Sequence, residues 1–133
     1  MTGAPTCGVE ISVDEYFAGK ATARRLYVAV RRAVMALGAV AERATRSQIA
    51  FRREHAFAWV WRPDRHLRGT AIAPLVLTID LFRRDRSPRW KEVVEPRPGR
   101  FTHHLELRSA REVDAEVKAW LEEAWETAGL GRR

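Results

Sequence analysis

The chain has only one cysteine among its 133 residues, Cys7. A single cysteine cannot form a disulfide within the chain, and it cannot supply the several thiolates of a cysteine-based zinc site. We therefore predict neither a disulfide nor a bound metal. The scarcity of cysteine fits the reducing cytoplasm, where we expect the protein to act.

A long hydrophobic run and a targeting segment are also missing. The longest strongly apolar stretch, residues 71–79, is well short of the roughly 20 residues that a membrane helix requires. Residues 1–8 do not place a basic segment before an apolar one, so they do not resemble a signal peptide. The sequence thus predicts no association with a membrane.

The motifs that bind nucleotides or build a hydrolase site are absent as well. The chain contains no phosphate loop with its lysine, no Gly-x-Gly-x-x-Gly and no Gly-x-Ser-x-Gly nucleophile elbow. We therefore expect no cofactor. No catalytic nucleophile is identified, and whether the protein is an enzyme stays open at this point.

The composition is that of a folded protein, with 46% hydrophobic and 31% charged residues. A chain of this length is sufficient for one domain with one core. We predict a flexible N-terminal segment (1–11), a single domain (12–129) and a flexible C-terminus (130–133).

Positive charge is concentrated in the middle of the chain, although the formal net charge of the whole is +7. Residues 43–100 contain 14 lysines and arginines against 6 aspartates and glutamates, a net +8, whereas residues 101–128 carry a net −4. This excess favours an anionic small molecule, an acidic protein or nucleic acid as a partner. The alternative is that the arginines, 21 of the 24 basic residues, reflect base composition and only solvate the surface.

Helix signals lie near both ends of the chain. A Ser-x-x-Glu capping box at Ser12 predicts a short helix that ends near Gly19. Apolar residues recur at helical spacing over 21–37, which predicts a second helix. Another capping box at Ser109 predicts a long C-terminal helix that ends at Gly129.

Between these helices the apolar residues alternate, which is typical of strands. Segments 48–52 and 56–61 form a predicted hairpin, and two or three further strands follow within 75–81, 90–95 and 101–108. The predicted fold class is α+β, with two N-terminal helices, an antiparallel sheet of four or five strands, and a long C-terminal helix packed on one face.

Chemically useful side chains concentrate around a predicted turn at residues 96–99. Arg97 and Arg100 lie in this turn, whose prolines and glycine restrict the backbone. Two guanidinium groups held in this way suit a carboxylate or a phosphate, because each donates in a planar fork. The alternative is a hairpin turn with solvated arginines.

Two histidines follow the turn on an apparent strand. His103 and His104 are neighbours, so their side chains project to opposite faces and cannot together hold one metal ion. His103 shares its parity with Leu105 and Leu107, which favours a buried core histidine, whereas His104 is expected at the surface. Either imidazole has a pKa suited to acid–base catalysis.

Three aromatic residues, Phe57, Trp59 and Trp61, alternate with small residues along another predicted strand. If the small residues pack beneath the helices, the aromatic side chains form a platform for bases, a planar ligand or a second subunit. If the aromatic side chains face the helices, they belong to the core. We favour the core position, because aromatic residues on strands are usually buried.

Several separated motifs resemble, in their order, a family of small bacterial domains of unknown function and the broader YdhG-like group of α+β domains. The motifs are VDEYFAGK from Val13, QIAFR from Gln48, FAWVW from Phe57 and EVVEPRPGRFTHH from Glu92. The resemblance covers about residues 12–128 and implies the α+β fold without an assigned activity or catalytic residues. Some relatives resemble domains preceded by a Cys/His metal ribbon, which implies that Cys7 is a remnant of a metal site now absent.

We therefore predict a non-catalytic module that binds an anionic small molecule or an acidic partner. The candidate ligand-binding residues are those that strand pairing can bring together: Gln48, Arg52, Trp59, Trp61, Glu95, Arg97, Arg100, His103 and His104. Two alternatives stay open, namely a small enzyme with a histidine acid–base and an arginine-rich nucleic-acid-binding protein. A homodimer through an uncovered sheet face is a further alternative.

Overall fold

The first helix follows the capping signal at Ser12, and the second follows the helical spacing of the apolar residues. The computed structural model describes residues 9–65 and 71–130, so Cys7 and most of the predicted flexible ends lie outside the described residues. Helix α1 (Val13–Tyr16) is a single turn, in which the Ser12 hydroxyl accepts the N–H of Glu15. Helix α2 (Ala21–Met35) follows. Two N-terminal helices are therefore present, but the first is only four residues long.

The middle of the chain forms one six-stranded antiparallel sheet, so the prediction of four or five strands is too low. The strands are β1 (Ala41–Ala44), β2 (Ile49–Arg52), β3 (Ala56–Trp61), β4 (Leu75–Leu81), β5 (Glu92–Arg97) and β6 (Arg100–Leu107). Their order across the sheet is β1-β2-β3-β4-β6-β5. The prediction from the sequence omits β1, because Ala-Glu-Arg-Ala has no alternating apolar pattern. This segment becomes a strand through its pairing with β2.

The C-terminal helix begins later than its first capping signal. The capping box of Ser109 and Glu112 is present, but it starts a short 3-10 turn (Ala110–Glu112) that ends where Val113 leaves helical geometry. Helix α3 (Ala115–Ala128) is capped instead by Asp114, whose carboxylate accepts the N–H of Val117 at 3.1 Å. None of the helices in the described ranges combines the length and apolar character needed to cross a bilayer.

One face of the sheet carries the core, and α2 and α3 pack against it. Cross-strand partners share a face, so the row Ala58, Ile79 and His103 lies on one side together with the neighbouring buried leucines. The Trp90 ring stacks between the His103 ring and the Trp120 ring of α3, at centroid distances of 4.8 and 4.1 Å. This side is the covered face, and the opposite side is the open face.

A β-bulge separates the three aromatic residues of β3. Arg52 pairs with Ala56 while the preceding residue of β2 pairs with Ala58, so Phe57 is the extra residue and its side chain enters the core, 1% exposed. Trp59 and Trp61 stay on the open face, partly exposed and outside the core cluster. The expected core position is therefore wrong for both tryptophans, because the small residues of β3 are the ones beneath α3.

Candidate functional site

A continuous row of side chains crosses the open face and includes two of the candidates, Trp59 and His104. Strand pairing places Arg43 beside Ala50, Ala50 beside Trp59, Trp59 beside Thr78, Thr78 beside His104, and His104 beside Glu92. Neighbours in such a row have Cβ atoms about 5 Å apart. Residues from six strands, distant in sequence, thus share one surface.

A cavity of about 460 Å³, here called the arginine cavity, lies where the open face meets the C-terminal half of α3. Its walls come from β3, β4, the β5–β6 hairpin and α3. The lining residues are His55, Ala56, Phe57, Trp59, Asp80, Phe82, Arg97, Arg100, Ala124, Thr127 and Ala128. Three of the candidates from the sequence, Trp59, Arg97 and Arg100, are brought together here.

Arg100 is held in the arginine cavity by a buried carboxylate. Its terminal nitrogen forms an ion pair with Asp80, which is 6% exposed, and its guanidinium carbon lies 4.8 Å from the centre of the Phe82 ring. The Nε atom of Arg100 is buried and has no hydrogen-bond partner among the described residues. A buried donor without an acceptor is uncommon in folded proteins and costs free energy.

Arg97 projects from the hairpin that joins β5 and β6. The turn is tighter than predicted, because Arg97 still pairs with Arg100 and only Pro98 and Gly99 connect the strands. The Glu95 carboxylate accepts the N–H of Gly99 at 3.1 Å, and Gly99 adopts φ 82°, which favours glycine. Glu95 thus braces the turn. The Arg97 guanidinium is exposed and has no ion pair or hydrogen bond within the described parts of the chain.

A second cavity, here called the histidine cavity, lies further along the open face and has a volume of about 120 Å³. It shares no lining residue with the arginine cavity. The lining residues are Trp61, Pro63, Val76, Lys91, Glu92, His104 and Glu106. Two more candidates from the sequence, Trp61 and His104, are therefore neighbours, but at a separate place.

A chain of hydrogen bonds orients His104. The indole N–H of Trp61 donates to the Thr78 hydroxyl at 2.9 Å, and that hydroxyl lies 2.7 Å from Nδ1 of His104. The Trp61 and His104 rings meet edge to face, with centroids 6.0 Å apart. Burial lowers the pKa of His104, and the nearby Glu92 carboxylate opposes this in part. His104 is half-buried, so its expected position at the surface is only partly correct.

His103 projects to the opposite, covered face, as its parity predicts. It is 0% exposed, its Nε2 accepts the Asp85 N–H at 3.0 Å, and its Nδ1 lies 3.1 Å from the Phe101 carbonyl. Burial lowers the pKa of His103. The core position of His103 is confirmed, and both ring nitrogens have structural partners.

The two remaining candidates line neither cavity. The Gln48 carbonyl accepts the N–H of Thr45 at 2.9 Å in the β1–β2 turn, and Arg52 donates to the Glu54 carbonyl at 2.9 Å. Conversely, His55 and Phe82 line the arginine cavity without having been candidates. Phe82 lies two residues after Asp80, so the alternation of the strand could have predicted that both side chains project to the same side. No local sequence pattern indicates a role for His55.

The described residues contain no cluster of side chains that could bind a metal ion. Within 9–65 and 71–130, no three histidine, cysteine, aspartate or glutamate side chains come close enough together to hold an ion. The site therefore consists of two cavities that border the open face, one with two arginines and one with an oriented histidine.

Comparison with known proteins gives a family. No curated protein and no solved structure matches the chain. A family model matches residues 13–128, which include all six strands and all three helices. The chain thus belongs to the family described as domain of unknown function (DUF5655).

Proposed function

We propose that this protein is a non-catalytic module whose arginine cavity binds a small anion with an apolar or planar part. The observation that carries the proposal is the Arg97 guanidinium, which lines the cavity and has no ion pair or hydrogen bond among the described residues, beside the Arg100 side chain, which is 30% exposed. A ligand carboxylate or phosphate supplies the oxygens that the Arg97 donors lack. Kinship with the YdhG-like domains is part of the same proposal and rests on the order of the motifs.

The charge balance of the arginine cavity favours an anion. Arg97 and Arg100 contribute two positive charges, and Asp80 neutralises one of them through its ion pair. The remaining positive charge lies beside low-dielectric walls, where the attraction of an anion is stronger than in bulk water. The volume of about 460 Å³ lies within the range of about 300–1,000 Å³ that is typical of pockets for small molecules.

The rest of the arginine cavity suits an apolar or planar group. Trp59 and Phe82 present ring surface, and Ala124 and Ala128 of α3 add small apolar walls. Aromatic side chains at a pocket contribute contact area at low entropic cost. An aromatic carboxylate therefore fits the cavity better than acetate does.

The lining residues favour binding over catalysis. The Thr127 hydroxyl donates to the Ala124 carbonyl at 3.1 Å within α3, so it is not activated as a nucleophile. The Asp80 carboxylate is engaged by Arg100, and His103, which was a candidate acid–base, is buried on the other side of the sheet. The Thr127 hydroxyl and the Asp80 carboxylate are thus already engaged, and neither is poised as a nucleophile.

Isothermal titration calorimetry with benzoate, acetate, phosphate and benzylamine tests the proposal. We expect benzoate to bind more tightly than acetate and benzylamine not to bind. The Arg97→Gln variant should bind benzoate about tenfold more weakly, since a hydrogen bond to a charged group contributes about 1.5 kcal/mol or more. Arg111→Gln is the matched control, because Arg111 is exposed and precedes α3 at the end away from the cavity. Equal losses in both variants, or no binding of any anion, would contradict the proposal.

A second candidate function is the binding of single-stranded nucleic acid across the open face. It is favoured by Trp59 and Trp61, which are partly exposed there, and by Arg43 and Arg52 on the neighbouring strands. Bases stack on aromatic side chains while arginines contact phosphates. A series of oligonucleotide titrations at increasing salt tests it, since the logarithm of the affinity should fall linearly with the logarithm of salt concentration. Affinity that is absent at low salt rules it out.

A further inference from the structure

We infer that the histidine cavity is a second binding site, selective for a neutral primary carboxamide. This site goes beyond the proposed anion site, because the two cavities have no lining residue in common. The inference rests on a hydrogen-bond donor and an acceptor that strand pairing places side by side, both without protein partners among the described residues.

The donor is the Nε2–H group of His104. The Trp61 indole N–H can only donate, so the Thr78 hydroxyl accepts from it at 2.9 Å. The hydroxyl proton then has one acceptor within reach in the described residues, Nδ1 of His104 at 2.7 Å. Neutral imidazole carries a proton on one nitrogen, so this proton lies on Nε2. Nε2 has no hydrogen-bond partner in the described residues.

The acceptor is the Glu92 carboxylate. Glu92 is the cross-strand partner of His104, so the two side chains leave the same face with Cβ atoms about 5 Å apart. Glu92 is exposed and has no ion pair within the described residues. The other carboxylate of this cavity, Glu106, is instead neutralised by Lys91 at 3.7 Å and by Arg108 at 3.6 Å.

This pairing selects against charged groups. A carboxylate would meet the negative charge of Glu92, and the cation of the lining, Lys91, is already paired with Glu106. An ammonium group would bind Glu92 but leave the N–H of His104 without an acceptor. A primary carboxamide satisfies both, since its oxygen accepts from Nε2–H and its NH₂ donates to Glu92.

The size and walls of the histidine cavity fit this group. A volume of about 120 Å³ corresponds to about four water molecules at about 30 Å³ each, enough for an amide and the carbon atoms next to it. Trp61, Pro63 and Val76 supply apolar contact for those carbon atoms. The amide is either a free small molecule or the side chain of glutamine or asparagine in a partner.

The test follows the Trp61 indole and His104 imidazole signals by NMR during titration with propionamide, propionate and propylammonium. We expect saturable shifts with propionamide and none with the two charged analogues at equal concentration. Nitrogen spectra of His104 should show an unprotonated Nδ1 and a protonated Nε2. Tighter binding of N-acetylglutamine methylamide than of propionamide identifies a partner side chain as the source, and the reverse order identifies a free amide; both results support an amide site.

Substitution of the exposed Glu92 leaves the strands and the histidine chain intact. Glu92→Gln should bind propionamide about tenfold more weakly and lose its discrimination against propionate, because the charged acceptor is gone. Glu126→Gln, at an exposed position of α3, is the matched control and should behave as the unmodified chain. Equal shifts with all three probes, no shift with propionamide, or a proton on Nδ1 would overturn the inference.

Discussion

Replacing Asp80 by asparagine should lower the stability of the protein while it strengthens anion binding. Asp80 is the carboxylate that neutralises Arg100 in the arginine cavity, and its side chain is 7% exposed against 30% for Arg100. The substitution keeps the shape of the side chain and removes its charge. One residue therefore stabilises the fold at the expense of the positive potential that a ligand would use.

The loss of stability and the gain in anion affinity can both be estimated from the geometry of the ion pair. Removing one partner of a fully buried ion pair costs about 3–5 kcal/mol, and the partial exposure of Arg100 together with the remaining amide oxygen reduces this to about 2 kcal/mol. For a domain of this size that is a decrease in Tm of about 8 °C. A bound anion about 6 Å from the lost charge, at an effective dielectric of about 40, gains about 1.4 kcal/mol. This corresponds to roughly tenfold tighter binding.

Urea denaturation and calorimetry with benzoate measure the two effects separately. The matched control is Asp14→Asn, because Asp14 also pairs with an arginine but its side chain is 81% exposed. We expect the control to change the free energy of unfolding by less than about 0.5 kcal/mol and to leave affinity unchanged. If the Asp80 variant is as stable as the control, or binds benzoate more weakly than the unmodified chain, the reasoning about the cavity is refuted.

Three further substitutions and conditions test the fold. Because burial lowers the pKa of His103, the folded state binds fewer protons than the unfolded state. The stability that His103 contributes should therefore be full above its unfolded pKa of about 6.5 and fall as the pH drops through the lowered pKa. Urea denaturation should show a smaller difference in unfolding free energy between pH 7.5 and 5.5 for His103→Leu than for the unmodified chain. Gly38→Ala should destabilise more than Gly19→Ala in thermal unfolding, since both have positive φ but only the former puts its Cβ 2.7 Å from the Trp125 ring. Asp114→Ala should lose about 1 kcal/mol by urea denaturation through loss of the α3 cap, and an unchanged midpoint would contradict that role.

The α+β class and most element positions follow from local signals in the sequence. The capping residue Ser12 and the alternation along β3, β4 and β6 act over a few residues, so they can be recognised without a structure. Strand β1 could not be recognised in that way, because nothing in Ala41–Ala44 favours a strand apart from the hydrogen bonds that β2 offers. The number of strands therefore depends on pairing between segments rather than on either segment alone.

The candidate site is divided for a related reason. The sequence predicts that strand pairing gathers the arginines, the tryptophans and one histidine, and the register does place Trp59 and Arg100 at one cavity. The same register places Trp61 and His104 at another, Trp61 two residues beyond Trp59 and His104 four residues beyond Arg100. Away from the bulge at Phe57, alternation along a strand determines on which face a side chain lies, but only the register determines which neighbours it has on that face.

The uneven distribution of charge along the chain has a structural explanation that narrows the functional one. Two arginines of the basic middle segment extend to the acidic C-terminal helix, Arg83 to Glu123 at 2.8 Å and Arg89 to Glu116 at 2.9 Å. Hydrogen bonds to these carboxylates raise the pKa of both arginines, so these charges are engaged in packing α3 against the sheet. Net positive charge alone is therefore weak evidence for an anionic partner. The stronger evidence is local: Arg97 lines a cavity and has no counter-ion among the described residues, so it is the position at which the excess charge should affect binding.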